Sequence, residues 1–161
     1  MPELCAAVAL GQVERANELV SRRVDSANLF KEVLDETKCD WLIPQRSDPE
    51  YFNSYWAFSC KMTRDDITWT QFRDKFMSFG GRGIYSAWKL TYLEPMFTNH
   101  NFLGRERFMS NQRLDQYKMG LCPVAESIVG QIMQFKTNFW DLSEAEVEAL
   151  ALRKTIEHFD G

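Results

Sequence analysis

The sequence predicts an α+β domain: one long N-terminal helix, then a small sheet with helices packed on one side. Three observations predict it. Apolar residues recur at spacings of three and four through the first 37 residues. Short aromatic-rich segments bounded by turn residues follow, and they read as strands. Two Ser/Thr-x-x-Glu/Gln boxes, Thr68–Gln71 and Ser143–Glu146, each open a run with helical periodicity. The order expected is long helix, strand, strand, helix, strand, irregular segment, helix, helix.

The chain opens MPELCAAVALGQVE, with Pro2 suited to a first helical position. Leu4 to Leu10 is apolar without interruption, and a helix apolar all round needs cover on every side. That cover would be a further domain or a partner subunit. Val13, Ala16, Val20, Val24, Ala27, Phe30 and Leu34 continue one helical face to about Thr37. At 1.5 Å per residue such a helix reaches roughly 50 Å, the length of a connector between domains. Residues 1–37 are therefore expected to connect and 38–161 to form the α+β body.

DWLIPQ (Asp40–Gln45) reads as a short strand stopped by Pro44, and SYWAFSCKM (Ser54–Met62) as the strongest strand. Trp69, Phe72, Phe76 and Phe79 form the apolar face of a helix that Gly80 and Gly81 end. GIYSAW starts another short strand, and the segment from Lys89 to Gly120 is expected to be irregular and partly helical. CPVAESIVGQIM reads as a helix, with QFKTNFW extended after it. The last helix runs to about Phe159, with Val147, Leu150, Ala151 and Ile156 as its apolar positions.

At 161 residues the chain is one domain's worth, and its net charge of −4 offers no electrostatic case for nucleic acid or an anionic membrane. No apolar run approaches the ~18 residues of a membrane span, and no basic region precedes the apolar opening as in a signal peptide. Cys5, Cys39, Cys60 and Cys122 lack Cys-x-x-Cys spacing and read as reduced, mostly buried thiols of a cytoplasmic protein.

The residues hold no complete active site. His100 lies in a polar loop and His158 near a helix end, neither with a metal-spaced partner. Neither Gly-x-Ser-x-Gly nor a Cys–His nucleophile pattern occurs. GGRG (Gly80–Gly83) follows a helix and lacks the Gly-Lys-Ser/Thr ending of a phosphate loop, so it reads as a helix stop leading into a strand. Asp65 and Asp66 read as a solvated turn. YSAWKLTYLEPMF (Tyr85–Phe97) stands out, with Tyr85, Trp88, Tyr92 and Phe97 around Lys89 and Glu94 and little periodicity. Such a segment suits a sugar or nucleotide pocket, or a loop packed against another domain.

MPELCAAVALGQVERANELVSRR resembles the stretch after the Asn-x-Arg motif of sugar aminotransferases of the DegT/DnrJ/StrS type. Met1, Glu3, Leu4, Ala6, Ala7 and Gln12 match the family wording, while Pro2 and Cys5 depart from it. GGRGIYSAWKLTYLEPMF is similar to that family's Gly-Ile segment, CPVAE (Cys122–Glu126) to its Cys-Pro-x-Ala-Glu motif, and LSEAEVEALALRKTIEHF to its closing helix. The resemblance implies the C-terminal small domain of a pyridoxal-phosphate enzyme of the aspartate-aminotransferase fold, with a mainly antiparallel sheet. Met1 would then be an internal methionine of a longer gene product.

The resemblance further implies that the Schiff-base lysine and the phosphate ligands lie in a large domain outside this chain. No residue here is then catalytic or cofactor-binding, and pyridoxal phosphate is expected only in the full enzyme. Tyr85, Trp88, Lys89 and Tyr92 are the expected walls of a nucleotide-sugar pocket, and the expected partners are the chain's own large domain and a homodimer mate. Tyr92 stands where the family often has histidine, and the loop is shorter. Two rival readings remain open: a non-catalytic α+β interaction module, and a sugar dehydratase or lyase on the same scaffold.

Overall fold

A computed structural model describes residues 1–86, 89–99 and 116–161. The chain enters as two helices, α1 (Glu3–Glu14) and α2 (Ala16–Thr37), parted only by Arg15 at φ −102°, ψ 3°. The single connector expected from periodicity is thus interrupted once. The break coincides with Arg15 pairing to Glu18 at 3.1 Å while its guanidinium sits 5.3 Å from the Trp140 ring centroid. α1 buries no residue, and Leu4, Val8, Leu10 and Val13 are all exposed. Burial begins only at Ser26 and Ala27 and continues through Phe30, Val33 and Leu34. The apolar face read from Val13 onward is therefore core only in its second half, where the sheet and the last helix reach it.

Among the described residues four strands follow: β1 (Leu42–Pro44), β2 (Ala57–Met62), β3 (Tyr85–Ser86) and β4 (Ile132–Lys136). They form one antiparallel sheet in the order β1-β2-β4-β3. Pro44 closes the edge strand β1, where a missing N–H costs least. β4 corrects the expectation that Ile132 and Met133 continue a helix. The helix of that segment, α5 (Pro123–Ile128), ends four residues before Ile132. From Ile132 onward burial alternates, with Met133 and Phe135 fully inside, which is the period of a strand. The apolar pairs Ile128–Val129 and Ile132–Met133, four residues apart, mimic a helical period and hid that change.

α3 (Trp69–Ser78) starts at the expected box: Thr68 Oγ1 accepts from the Gln71 N–H at 3.2 Å, and Gln71 Oε1 accepts from the Thr68 N–H at 2.8 Å. It ends in a Schellman turn, with Gly81 N–H on the Phe76 carbonyl at 3.1 Å and Gly80 N–H on the Met77 carbonyl at 3.0 Å. Gly80 supplies the left-handed residue, at φ +100°. The helix-stop reading of GGRG holds. A short α4 (Pro95–Thr98) lies before residue 100.

α6 (Leu142–Asp160) closes the chain. Its cap is Asp141, whose side chain accepts from the Ser143 N–H at 3.0 Å, so the Ser143–Glu146 box does not start the helix. Asp141 is equally good cap chemistry two residues earlier, and the first competent cap wins. The buried face is Ala145, Glu148, Ala149, Ala151, Leu152, Thr155 and Ile156, while Val147 and Leu150 are exposed. The small side chains let α6 lie close against α2.

Helices α2, α3 and α6 and the inner sheet face enclose one core. Phe30, Phe58, Phe72, Phe76 and Phe135 are all 1% exposed or less. Trp41 Nε1 donates to Asp160 Oδ1 at 2.7 Å, and Arg64 Nη1 donates to the Phe159 carbonyl at 2.7 Å, where a cation also suits the helix dipole. These two bonds pin the end of α6 to the sheet. Of the four thiols only Cys60 is buried; Cys39 is half-buried, and Cys5 and Cys122 are exposed, against the expectation of mostly buried cysteines. Cys5 lies in the uncovered α1, and Cys122 stands at the N-cap of α5. Among the described residues no helix is long and apolar enough to cross a membrane.

Candidate functional site

The pleat puts Ala57, Ser59, Gln134, Lys136 and Tyr85 on the outer sheet face, where none of them is buried. Tyr85 on β3 pairs with Gln134 on β4, so Lys136 is its diagonal neighbour. The Lys136 ammonium lies 5.4 Å from the Tyr85 ring centroid. This pair divides a groove into two lobes. One, of about 410 Å³, is lined by Arg23, Trp56, Ala57, Tyr85, Gln134, Phe135, Lys136 and Asn138. The other, of about 370 Å³, is lined on its far side by Trp69, Arg73 and Arg82. Both volumes fall in the range of small-molecule sites.

The first lobe is held by a built corner. Tyr55 adopts φ +46°, a conformation unusual for a bulky side chain, and its N–H donates to Asn53 Oδ1 at 3.0 Å. That turn delivers the Trp56 carbonyl to Arg23 Nη1 at 3.0 Å. The buried Thr137 hydroxyl donates to the Tyr55 carbonyl at 2.6 Å. Arg23 of α2 is thereby locked against the strand ends of β2 and β4.

The second lobe has a buried carboxylate behind it. Glu148, 4% exposed, accepts the Arg82 N–H on both oxygens at 3.0 and 3.1 Å, and Arg82 Nη1 also pairs with Glu144 at 2.5 Å. Burial pushes the Glu148 carboxyl above its ordinary pKa, while the Arg82 N–H, the Arg82 guanidinium and Lys136 pull the other way. For an acid raised in the folded state, the contribution to stability is complete below the ordinary carboxylate value. It is lost as pH rises through the raised value. Glu148→Gln keeps an acceptor for Arg82 and removes the titration. Its stability relative to wild type is therefore expected to improve between about pH 4 and about pH 7. Paired urea titrations at the two pH values check this; an unchanged or worsening difference would refute it.

Of the expected pocket residues, Tyr85 lines the groove. Trp88 lies outside the described residues, as does His100. Lys89 is exposed, and neither it nor Tyr92 lines either lobe. Tyr92 sits in a 3₁₀ turn (Thr91–Leu93) and donates its hydroxyl to Glu126 Oε1. The same carboxylate accepts from the N–H groups of Gly120 at 2.8 and 2.9 Å and of Cys122 at 3.2 Å. Those donors, the Tyr92 hydroxyl first, hold the Glu126 pKa low; burial, then Glu126, pushes Tyr92 up to about 12. In CPVAE (Cys122–Glu126) the glutamate is thus the acceptor that folds the segment around itself and ties it to Tyr92.

Arg23, Gln134, Lys136 and Asn138 were not expected at the site. Alternation in IMQFK was the available signal, since it aims Gln134 and Lys136 to the face opposite Met133 and Phe135. Among the described residues no group of three His, Cys, Asp or Glu side chains could hold a metal ion. No protein-family model matches this chain, and no curated protein matches it.

Proposed function

We propose that this chain is the C-terminal small domain of a pyridoxal-phosphate sugar aminotransferase. The whole enzyme would move an amino group, from glutamate, onto a nucleotide-linked keto-sugar in the cytoplasm, as a homodimer. The observation that carries the reading is α1: twelve helical residues, apolar from Leu4 to Leu10, none of them buried. Such a helix is stable in water only with something packed on it. The resemblance supplies the partner, a large domain from which this helix leads. The motif-bearing segments also have the support such a domain needs: GGRG delivers β3 to the groove, and Glu126 organises the segment that opens α5.

Among the described residues no lysine is placed to hold the cofactor. A Schiff-base lysine works from a desolvated pocket. Each of the eight lysines here is half-buried or exposed. When bound to the large domain, pyridoxal phosphate would supply the electron sink of transamination. This chain's share is to wall the substrate pocket, with Tyr85, Trp88, Lys89 and Tyr92 the residues the resemblance assigns. Reading the DNA upstream of the Met1 codon tests the proposal. An open frame carrying Asn-x-Arg, and a lysine further upstream, is expected. A stop codon with its own ribosome site would favour an interaction module instead, and an open frame with Asn-x-Arg but a different residue in place of that lysine would favour a dehydratase.

A further inference from the structure

The first lobe of the groove brings together a ring, two cations and two amides, and none of the residues lining it is acidic. In a chain of net charge −4 that is a local reversal of sign. Lys136 forms no ion pair among the described residues; its ammonium rests on the Tyr85 ring. The buried carboxylate that feels it, Glu148, is already bonded to the Arg82 N–H. Arg23 spends part of its guanidinium on the Trp56 carbonyl and approaches Thr137 Oγ1 at 3.4 Å, so it is held in place with donors remaining. Gln134 and Asn138 add neutral donors at the rim. A cation held on an aromatic face, a fixed guanidinium and a half-open wall are suited to a pair of linked phosphates next to a planar ring.

Resting on the aminotransferase reading, we infer that Lys136 and Arg23 bind the diphosphate of the sugar nucleotide, with Tyr85 as the ring beside it. Lys89, the cation expected from the loop, has no part in that contact, because it lines neither lobe.

Titrating the ¹⁵N-labelled chain with inorganic pyrophosphate, and separately with uridine diphosphate, tests this. Both are expected to shift the amides of Tyr85, Gln134, Lys136 and Asn138, uridine diphosphate at the lower concentration. Lys136→Gln should weaken both by roughly tenfold or more, the loss of one charge-assisted contact, with the remaining spectrum unchanged. Lys61→Gln, on the same sheet face outside the groove, and Lys89→Gln should leave both affinities as they were. Shifts centred on Lys89, equal losses from all three variants, or no shift up to about 10 mM would overturn the assignment. Uridine diphosphate binding no tighter than pyrophosphate, or insensitive to Tyr85→Leu, would remove the ring from it. An upstream frame without Asn-x-Arg would sink the aminotransferase reading and leave these shifts untouched, so the two failures are distinguishable.

Discussion

Phe135→Ala is expected to cost about 3–5 kcal/mol, the range for truncating a buried aromatic in a core that relaxes only partly. Phe135 is 1% exposed at the middle of the sheet. Its ring centroid lies 5.4 Å from that of Phe30, 5.6 Å from Phe76, 6.3 Å from Phe58 and 6.4 Å from Phe72. The truncation thus removes contacts from α2, β2 and α3 together, and none of these elements can close the gap without parting from another. Domains of this size hold about 5–15 kcal/mol in all, so the variant would keep a small margin at best. Urea unfolding should show a lower midpoint at unchanged slope. A loss under about 1.5 kcal/mol would mean that the cluster is loosely packed.

Gly81→Ala should be the most damaging glycine-to-alanine change among the described residues. A Cβ built at Gly81 falls 2.2–2.6 Å from three ring carbons of Phe76. That ring is fully buried and packed edge-on against Phe135, so it has nowhere to turn. Overpacking of this kind costs about 1–3 kcal/mol, and the upper end is expected because the obstacle is a rigid ring. The shift of the Schellman turn would also strain the Arg82 N–H contact with Glu148. Gly81→Ala combined with Phe76→Leu should recover part of the loss, giving a non-additive cycle. A fully additive pair would show that the methyl group clashes elsewhere. Gly80→Ala differs in kind, since its Cβ meets open space and only its φ of +100° opposes the change.

What could be read in the sequence was what short-range chemistry decides. Thr68 and Gln71 find each other within one turn, and Phe72 and Phe76 face the core because a helix of that period has only one apolar side. The start of β4 was misplaced because Ile132 and Met133 stand four residues after Ile128 and Val129, a spacing a helix also shows, and only pairing with β2 and β3 decides between them. Glu148 was invisible for the opposite reason. A carboxylate in a helix is normally solvated, and only the arrival of the Arg82 N–H from a distant loop makes its burial tolerable. The groove shows the same limit. Tyr85 was expected, but its working neighbours come from α2 and β4, while Tyr92, close to it in sequence, is turned to Glu126. Strand pairing sets Tyr85 beside Gln134, whereas a 3₁₀ turn sets Tyr92 beside Glu126, and neither placement is written in their closeness along the chain.

The joint at Arg15 has a mechanical side. Trp140 is gripped between two guanidinium groups, Arg15 at 5.3 Å and Arg22 at 4.7 Å from its ring, and Arg22 also donates to its carbonyl. One residue further along the same helix, Arg23 forms the wall of the groove. The break between the two helices thus falls where α2 is anchored to the Trp140 ring, and the anchored end of α2 carries the Arg23 that walls the groove.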